Sequence, residues 1–176
     1  IPFLTLDKRE AAMSDFKLTS NSFNDGDTLA MDHILAEEYG FGCAGGNQSP
    51  HLAWTDPPES TESFALTMYD PDAPTGSGFW HWVVINIPKD VRELALDASK
   101  NGLPAGAIET RNDFPAPGYG GPCPPEGHGP HHYIFTLHAV NTAELPVTPD
   151  LSAAIIGFNL HFTTIDKAVL TGIFEK

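Results

Sequence analysis

Ser63-Phe64-Ala65-Leu66-Thr67-Met68-Tyr69-Asp70-Pro71-Asp72-Ala73-Pro74 decides how the rest of this sequence is read. Phe64, Leu66 and Met68 recur at every second position, the spacing of one β-strand face. From Asp70 to Pro74 the chain neither continues a strand nor starts a helix, because its two prolines lack an N–H and its aspartates favour turns. Asp70 keeps the parity of the apolar positions, so its carboxylate aims at the interior where the strand runs out. A carboxylate so placed requires donors or a cavity.

Two further runs have polar groups at a strand end. Phe79-Trp80-His81-Trp82-Val83-Val84-Ile85-Asn86-Ile87 reads as a strand in which strict alternation puts Phe79 and His81 on the face of Val83 and Ile85. His131-His132-Tyr133-Ile134-Phe135-Thr136-Leu137-His138-Ala139 reads as another, with His131 and Tyr133 on the face of Phe135 and Leu137. Three strand ends with acid, imidazole and phenol groups describe the rim of a pocket.

The remaining chain supplies short elements separated by Pro and Gly. Phe16–Ser20 and His51–Trp54 read as strands, Met31–Glu38 as weakly helical, and Asp90–Leu94 as one helical turn. Phe114–Pro130 is dominated by Gly and Pro and reads as a long irregular loop, of a length that is usually either functional or disordered. Leu151–Gly157, introduced by Thr148-Pro149-Asp150, has the composition of a capped, buried short helix, and Lys167–Phe174 closes the chain as a strand. The sum is a mainly β chain: an antiparallel β-sandwich, Greek-key-like, with a few short peripheral helices.

With 176 residues, 41% of them hydrophobic, the chain is long enough for one domain with a substantial core. Residues 13–176 are read as that domain, and residues 1–12 as a leader or remnant ahead of a start at Met13, although a natural extension would carry the same residues. On this reading the protein is cytoplasmic if Met13 is the start, and periplasmic or secreted if a signal has been removed. The net charge of -14 repels phosphate backbones and anionic lipid surfaces, which argues against nucleic acid as a partner. No stretch has the roughly 18 apolar residues of a membrane span, so no membrane insertion is expected. Cys43 and Cys123 lie in Gly- and Pro-rich loops; two free thiols and a bridge closing a loop of about 80 residues are both consistent with the sequence.

The runs DPDAPTGSGFWHWVVINIP (70–88) and GGPCPPEGHGPHHYIF (120–135) resemble the two signature blocks of the phosphatidylethanolamine-binding protein family, in its bacterial Raf-kinase-inhibitor-like branch. Gln48–Trp54, Thr110–Phe114 and Gly157–Phe162 are similar to that branch as well, and the likeness runs from about Phe16 to the end. The resemblance implies a β-sandwich with a small anion cavity at one end. Matched residue by residue, Asp70, Asp72, His81, His131 and Tyr133 would hold the ligand, and Ala73, Pro74, Phe79, Pro124 and Pro125 would wall it. Phe79 stands where Trp is common in the family, and His132 where Arg is frequent. Relatives bind kinases or proteases, so a kinase or protease is one partner the resemblance implies; a homodimer also fits this branch.

The residues suit binding of a small anion or phosphorylated ligand better than catalysis. Imidazole and phenol groups donate to a phosphate ester, backbone N–H groups of the Gly/Pro loop add donors, and Asp70 orients a histidine. A phosphorylethanolamine-like head group or a phosphorylated side chain fits that set, with Phe79 and Trp80 positioned to attract an ammonium group. Affinity is expected to rise between about pH 8 and 6 as His81 and His131 gain protons. The competing reading is a hydrolase, metal-dependent or otherwise, built on the same Asp/His cluster. No helical H-E-x-x-H is present, Ser49 and Ser77 lie outside any nucleophile elbow, and no cofactor motif appears. The reading is therefore a non-enzymatic binding module, a regulator or inhibitor of a partner protein, without cofactor, metal or catalytic residues.

Overall fold

The computed structural model describes residues 14–176, so the readings of residues 1–12 and of Met13 lie outside the described residues. In chain order the elements are β1 (Lys17–Thr19), β2 (Leu52–Thr55), β3 (Ser63–Asp70), β4 (Phe79–Pro88), β5 (Glu93–Leu94), α1 (Ala98–Asn101), β6 (Ile108–Glu109), β7 (His131–Val140), α2 (Ala153–Thr163) and β8 (Thr164–Phe174). They form two antiparallel sheets, one of order β1-β2-β5 and one of order β6-β4-β3-β7-β8. The mainly β, antiparallel sandwich expected from the sequence is what the chain builds.

The layers follow from side-chain parity. Phe64, Leu66 and Met68 of β3 pack with Phe135 and Leu137 of β7 against Leu18, Leu52, Trp54 and Leu94 of the smaller sheet. Ala65 faces the other way, where its small size lets α2 settle through Ala153, Ile156 and Leu160, alongside Val83, Ile85 and Val140. β3 is thus covered on both faces, which is why its residues are buried almost without a break even though the large apolar ones alternate.

β4 does not follow strict alternation. Met68 pairs with Trp82 and Tyr69 with Trp80, so His81 is an extra residue in the ladder, and a second irregularity lies opposite Ala65, where Asn86 has φ 56°. A bulge of this kind reverses the parity of everything beyond it. Val83 and Ile85 therefore lie under α2, while Phe79 and His81 turn to the sandwich face with Trp82 and Val84. The expectation that His81 shares a face with Val83 and Ile85 is overturned, and the bulge is the reason His81 reaches the strand-end hollow.

Local differences have equally local causes. Met31–Glu38 forms two separate 3₁₀ turns, Met31–His33 and Glu37–Tyr39, rather than one helix. Asp90–Leu94 ends in β5, since Glu93 and Leu94 pair with Ala53 and Leu52, and tertiary pairing outweighs the helical propensity of one turn. α2 is capped by Ser152, whose Oγ accepts from Ile155 N, but it continues to Thr163. Its apolar residues surround the axis while the sheet covers one side only, so Phe158 and Phe162 stay exposed. His138 is buried beneath α2 with Nδ1 3.0 Å from Thr164 Oγ1.

Candidate functional site

The three strand ends converge. Asp70 at the end of β3 pairs with Phe79 at the start of β4, and β7 lies on the other side of β3, which brings His131 and Tyr133 to the same corner. Together with Leu35, Phe41, Phe114 and residues 123–125, they enclose a cavity of about 160 Å³. That is well below the roughly 300–1,000 Å³ of sites for drug-sized molecules, so the hollow fits a small group.

Nine of the ten residues assigned from the sequence line it: Asp70, Ala73, Pro74, Phe79, His81, Pro124, Pro125, His131 and Tyr133. Asp72 does not. Its carboxylate turns away from the cavity to accept from both the backbone N and Nδ1 of His132, each at 2.7 Å. Burial pushes the Asp72 carboxyl up, but the hydrogen bonds and charge of His132 outweigh it and leave the group below its ordinary value. Asp72 contributes through its backbone instead, because its N–H donates to Asp70 Oδ1 at 2.8 Å. Trp80, expected beside the ligand, stacks on Tyr69 with ring centroids 4.3 Å apart and does not line the cavity.

The polar floor has a defined hydrogen-bond polarity. Asp70 Oδ2 accepts from His131 Nδ1 at 2.7 Å, and His131 Nε2 lies 2.7 Å from His128 Nδ1, so both ring nitrogens of His131 are engaged. His81 Nδ1 lies 2.8 Å from Gly120 O. A carbonyl only accepts, so Nδ1 carries the hydrogen and the neutral ring presents a lone pair at Nε2. Burial drives the His81 pKa down to about 4, against the smaller opposing effects of the Gly120 hydrogen bond and the Asp70 charge. The expectation that His81 gains a proton between pH 8 and 6 is corrected accordingly. Burial, reinforced by Asp70, raises the Tyr133 phenol, whose hydroxyl is enclosed and has no hydrogen-bond partner.

The Gly/Pro loop serves mainly as wall. Pro122, Pro124 and Pro125 have no N–H, and the N–H groups of Gly120 and Gly121 are bonded to His81 O and Asn47 Oδ1, so these positions do not add the backbone donors expected from the sequence. Cys123 lines the cavity and is bridged to Cys43, which resolves the open alternatives in favour of a disulfide. At Gly121 a Cβ would overlap His33 O and come within 2.7 Å of Leu35 N, both backbone atoms. Gly121→Ala is expected to cost about 3 kcal/mol, in the upper range for point substitutions, by prising the loop from the 33–35 segment. A denaturant midpoint within error of the parent would show that the two segments separate freely.

Six contributors were not assigned to the site from the sequence, among them Thr75 and Cys123, which line the cavity next to assigned residues. Leu35, Phe41 and Phe114 come from distant loops, and Phe114 meets Phe79 edge-on at 4.8 Å and His81 at 5.4 Å. His128, from the Gly/Pro loop, completes the hydrogen bonding of His131. The Gly-His-Gly spacing at 127–129 was the available signal, since both glycines adopt positive φ and shape the loop that carries the ring back.

The two-sheet sandwich thus carries at one end a small, apolar-walled pocket floored by His, Asp and Tyr side chains. The phosphatidylethanolamine-binding protein family model matches residues 19–175, and the chain belongs to that family. It is similar to UPF0098 protein YbcL of Escherichia coli, 46% identical over 99% of this chain and 94% of that one, and to UPF0098 protein YbhB of the same organism, 47% identical over 90% and 99%. The crystal structure of E. coli YbcL, described as a new member of the mammalian PEBP family, superposes with a TM-score of 0.88 at 47% identity, covering 93% of this chain and 99% of that chain. Neither relative's name states an enzymatic activity. Among the described residues, no helix is long and apolar enough to cross a membrane, and no three His, Cys, Asp or Glu side chains converge as a metal site.

Proposed function

We propose that this protein is a non-enzymatic binding module whose end pocket receives a small phosphorylated group, either a phosphorylethanolamine-like head group or a phosphorylated side chain of a partner that the module regulates. The observation that carries the reading is the Tyr133 hydroxyl, enclosed without a partner in a cavity beside Asp70 and His81. An unsatisfied buried donor costs about 1–3 kcal/mol, and an oxyanion in the cavity would relieve it. No side chain there is set up as a nucleophile: Thr75 Oγ1 donates to Gly78 O at 2.6 Å, and Asp70 is held by His131 and the Asp72 N–H. The disulfide supports placing the protein in an oxidising compartment, periplasmic or extracellular.

Calorimetric titration with O-phosphorylethanolamine tests the pocket. Tyr133→Phe is expected to weaken binding about fivefold, the worth of one hydrogen bond, while leaving stability unchanged or slightly raised because the orphaned hydroxyl is gone. Equal affinity in parent and variant would remove Tyr133 from the site, and the absence of binding heat in the parent would reject the pocket reading. A pull-down of kinases or proteases with and without competing phosphate separates the regulatory role from small-ligand carriage.

A further inference from the structure

Resting on the reading of the cavity as an oxyanion pocket, we propose that it selects oxyacids that carry a hydrogen, such as a hydrogen-phosphate monoester, over sulfate monoesters of the same size and charge. Hydrogen-bond polarity sets this preference. His81 Nδ1 is committed to Gly120 O, so Nε2 offers a lone pair. Asp70 is acceptor-only, with further lone-pair capacity beyond its bonds to the Asp72 N–H and His131. His131 has no ring nitrogen left to offer, because His128 holds Nε2. No lysine or arginine lines the cavity. Among the lining side chains only the Tyr133 hydroxyl is free to donate.

A sulfate monoester has oxygens that only accept. Seated here, one meets Tyr133 and the others meet the lone pairs of His81 or Asp70, so buried acceptors face acceptors. A monoprotonated phosphate ester has one P–OH, which donates to His81 Nε2 or to Asp70 while an anionic oxygen accepts from Tyr133. Wherever the shared proton resides in the complex, on phosphate oxygen or on Nε2, it must enter with the ligand. The charged groups facing His81 from the surrounding elements are Asp70 on β3 and Asp113 in the loop before Phe114, with neutral Tyr133 on β7, and neither acid is a source of cationic compensation for a second negative charge.

The test compares phenyl phosphate with phenyl sulfate by calorimetry on the full chain, in a cationic buffer free of other oxyanions. The phenyl group suits the aromatic mouth formed by Phe41, Phe79 and Phe114. At pH 5.5 both esters are mainly monoanions, since the second phosphate pKa is about 6, and phenyl phosphate is expected to bind about thirtyfold tighter, the scale set by a mismatched buried charged acceptor. Raising the pH to 8.5 should weaken phenyl phosphate by about tenfold per unit above that pKa and leave phenyl sulfate unchanged. Equal affinities at pH 5.5, tighter binding of the sulfate ester, or a flat phosphate profile would each overturn the selectivity while leaving an oxyanion site in place. Failure of both esters to bind would overturn the pocket reading and the selectivity together.

Discussion

Lowering the pH from 7 to 4 in an oxyanion-free buffer is expected to remove about 6 kcal/mol of folding stability through two histidines alone. His81 and His138 are both buried, and burial holds each near pKa 4, with the Lys167 charge adding to the effect at His138. Above pH 6.5 both rings are neutral in folded and unfolded chains, so they contribute no pH dependence. As pH falls below 6.5 the unfolded chain binds protons that the folded chain refuses, and stability declines until the folded value near 4 is reached. A ring held near 4 instead of its ordinary 6.5 loses about 3 kcal/mol by pH 4, where the folded ring is itself half protonated. His138 lies in a small hollow under α2, with His161, Thr164 and Lys167 around it and no acid to stabilise its cation. His138→Asn should halve the slope of stability against pH in this window, read from urea midpoints at pH 7, 6, 5 and 4. A parent midpoint that stays level between pH 7 and 5 would contradict the neutral burial of both rings.

Removing the disulfide is expected to cost about 4.5 kcal/mol. Cys43 and Cys123 are 80 residues apart, and cross-linking a loop of that length restricts the unfolded ensemble by about that amount on the chain-entropy model. The bridge also has a local role. Cys123 lines the cavity between Pro122 and Pro124, Leu35 N donates to Pro122 O at 3.0 Å, and Phe41 sits two residues before Cys43. The same link therefore ties the aromatic mouth to the loop that walls the pocket. In Cys43→Ala/Cys123→Ala, guanidinium midpoints should fall by an amount matching about 4.5 kcal/mol, and ligand affinity should fall with them as the wall loosens. A double variant as stable as the parent would mean that packing of the two loops alone holds them together.

The pocket was legible wherever alternation and turn chemistry coincide. Asp70 follows Phe64, Leu66 and Met68 in parity along an unbulged strand, and His131 and Tyr133 follow Phe135 and Leu137, so each points where period two places it. His81 reached the right place for a reason the alternation denied: a bulge of one residue cancelled the parity that would have put it beneath α2. Asp72 failed for the opposite reason. Its side chain found His132 next door, a partner from another strand that the order of residues does not reveal.

What the sequence by itself determined is the sandwich, the strand ends that bear acid, imidazole and phenol, and the family whose signature blocks they match. All of these rest on local periodicity and on prolines and aspartates that stop strands at fixed positions. What only the tertiary structure decided is the hydrogen-bond polarity of the site: His128 capping His131, Gly120 fixing the tautomer of His81, and Tyr133 left without a partner. The direction of a proton in a buried pocket is set by groups 3 to 61 residues away along the chain, and only their meeting in space specifies which atoms donate and which accept.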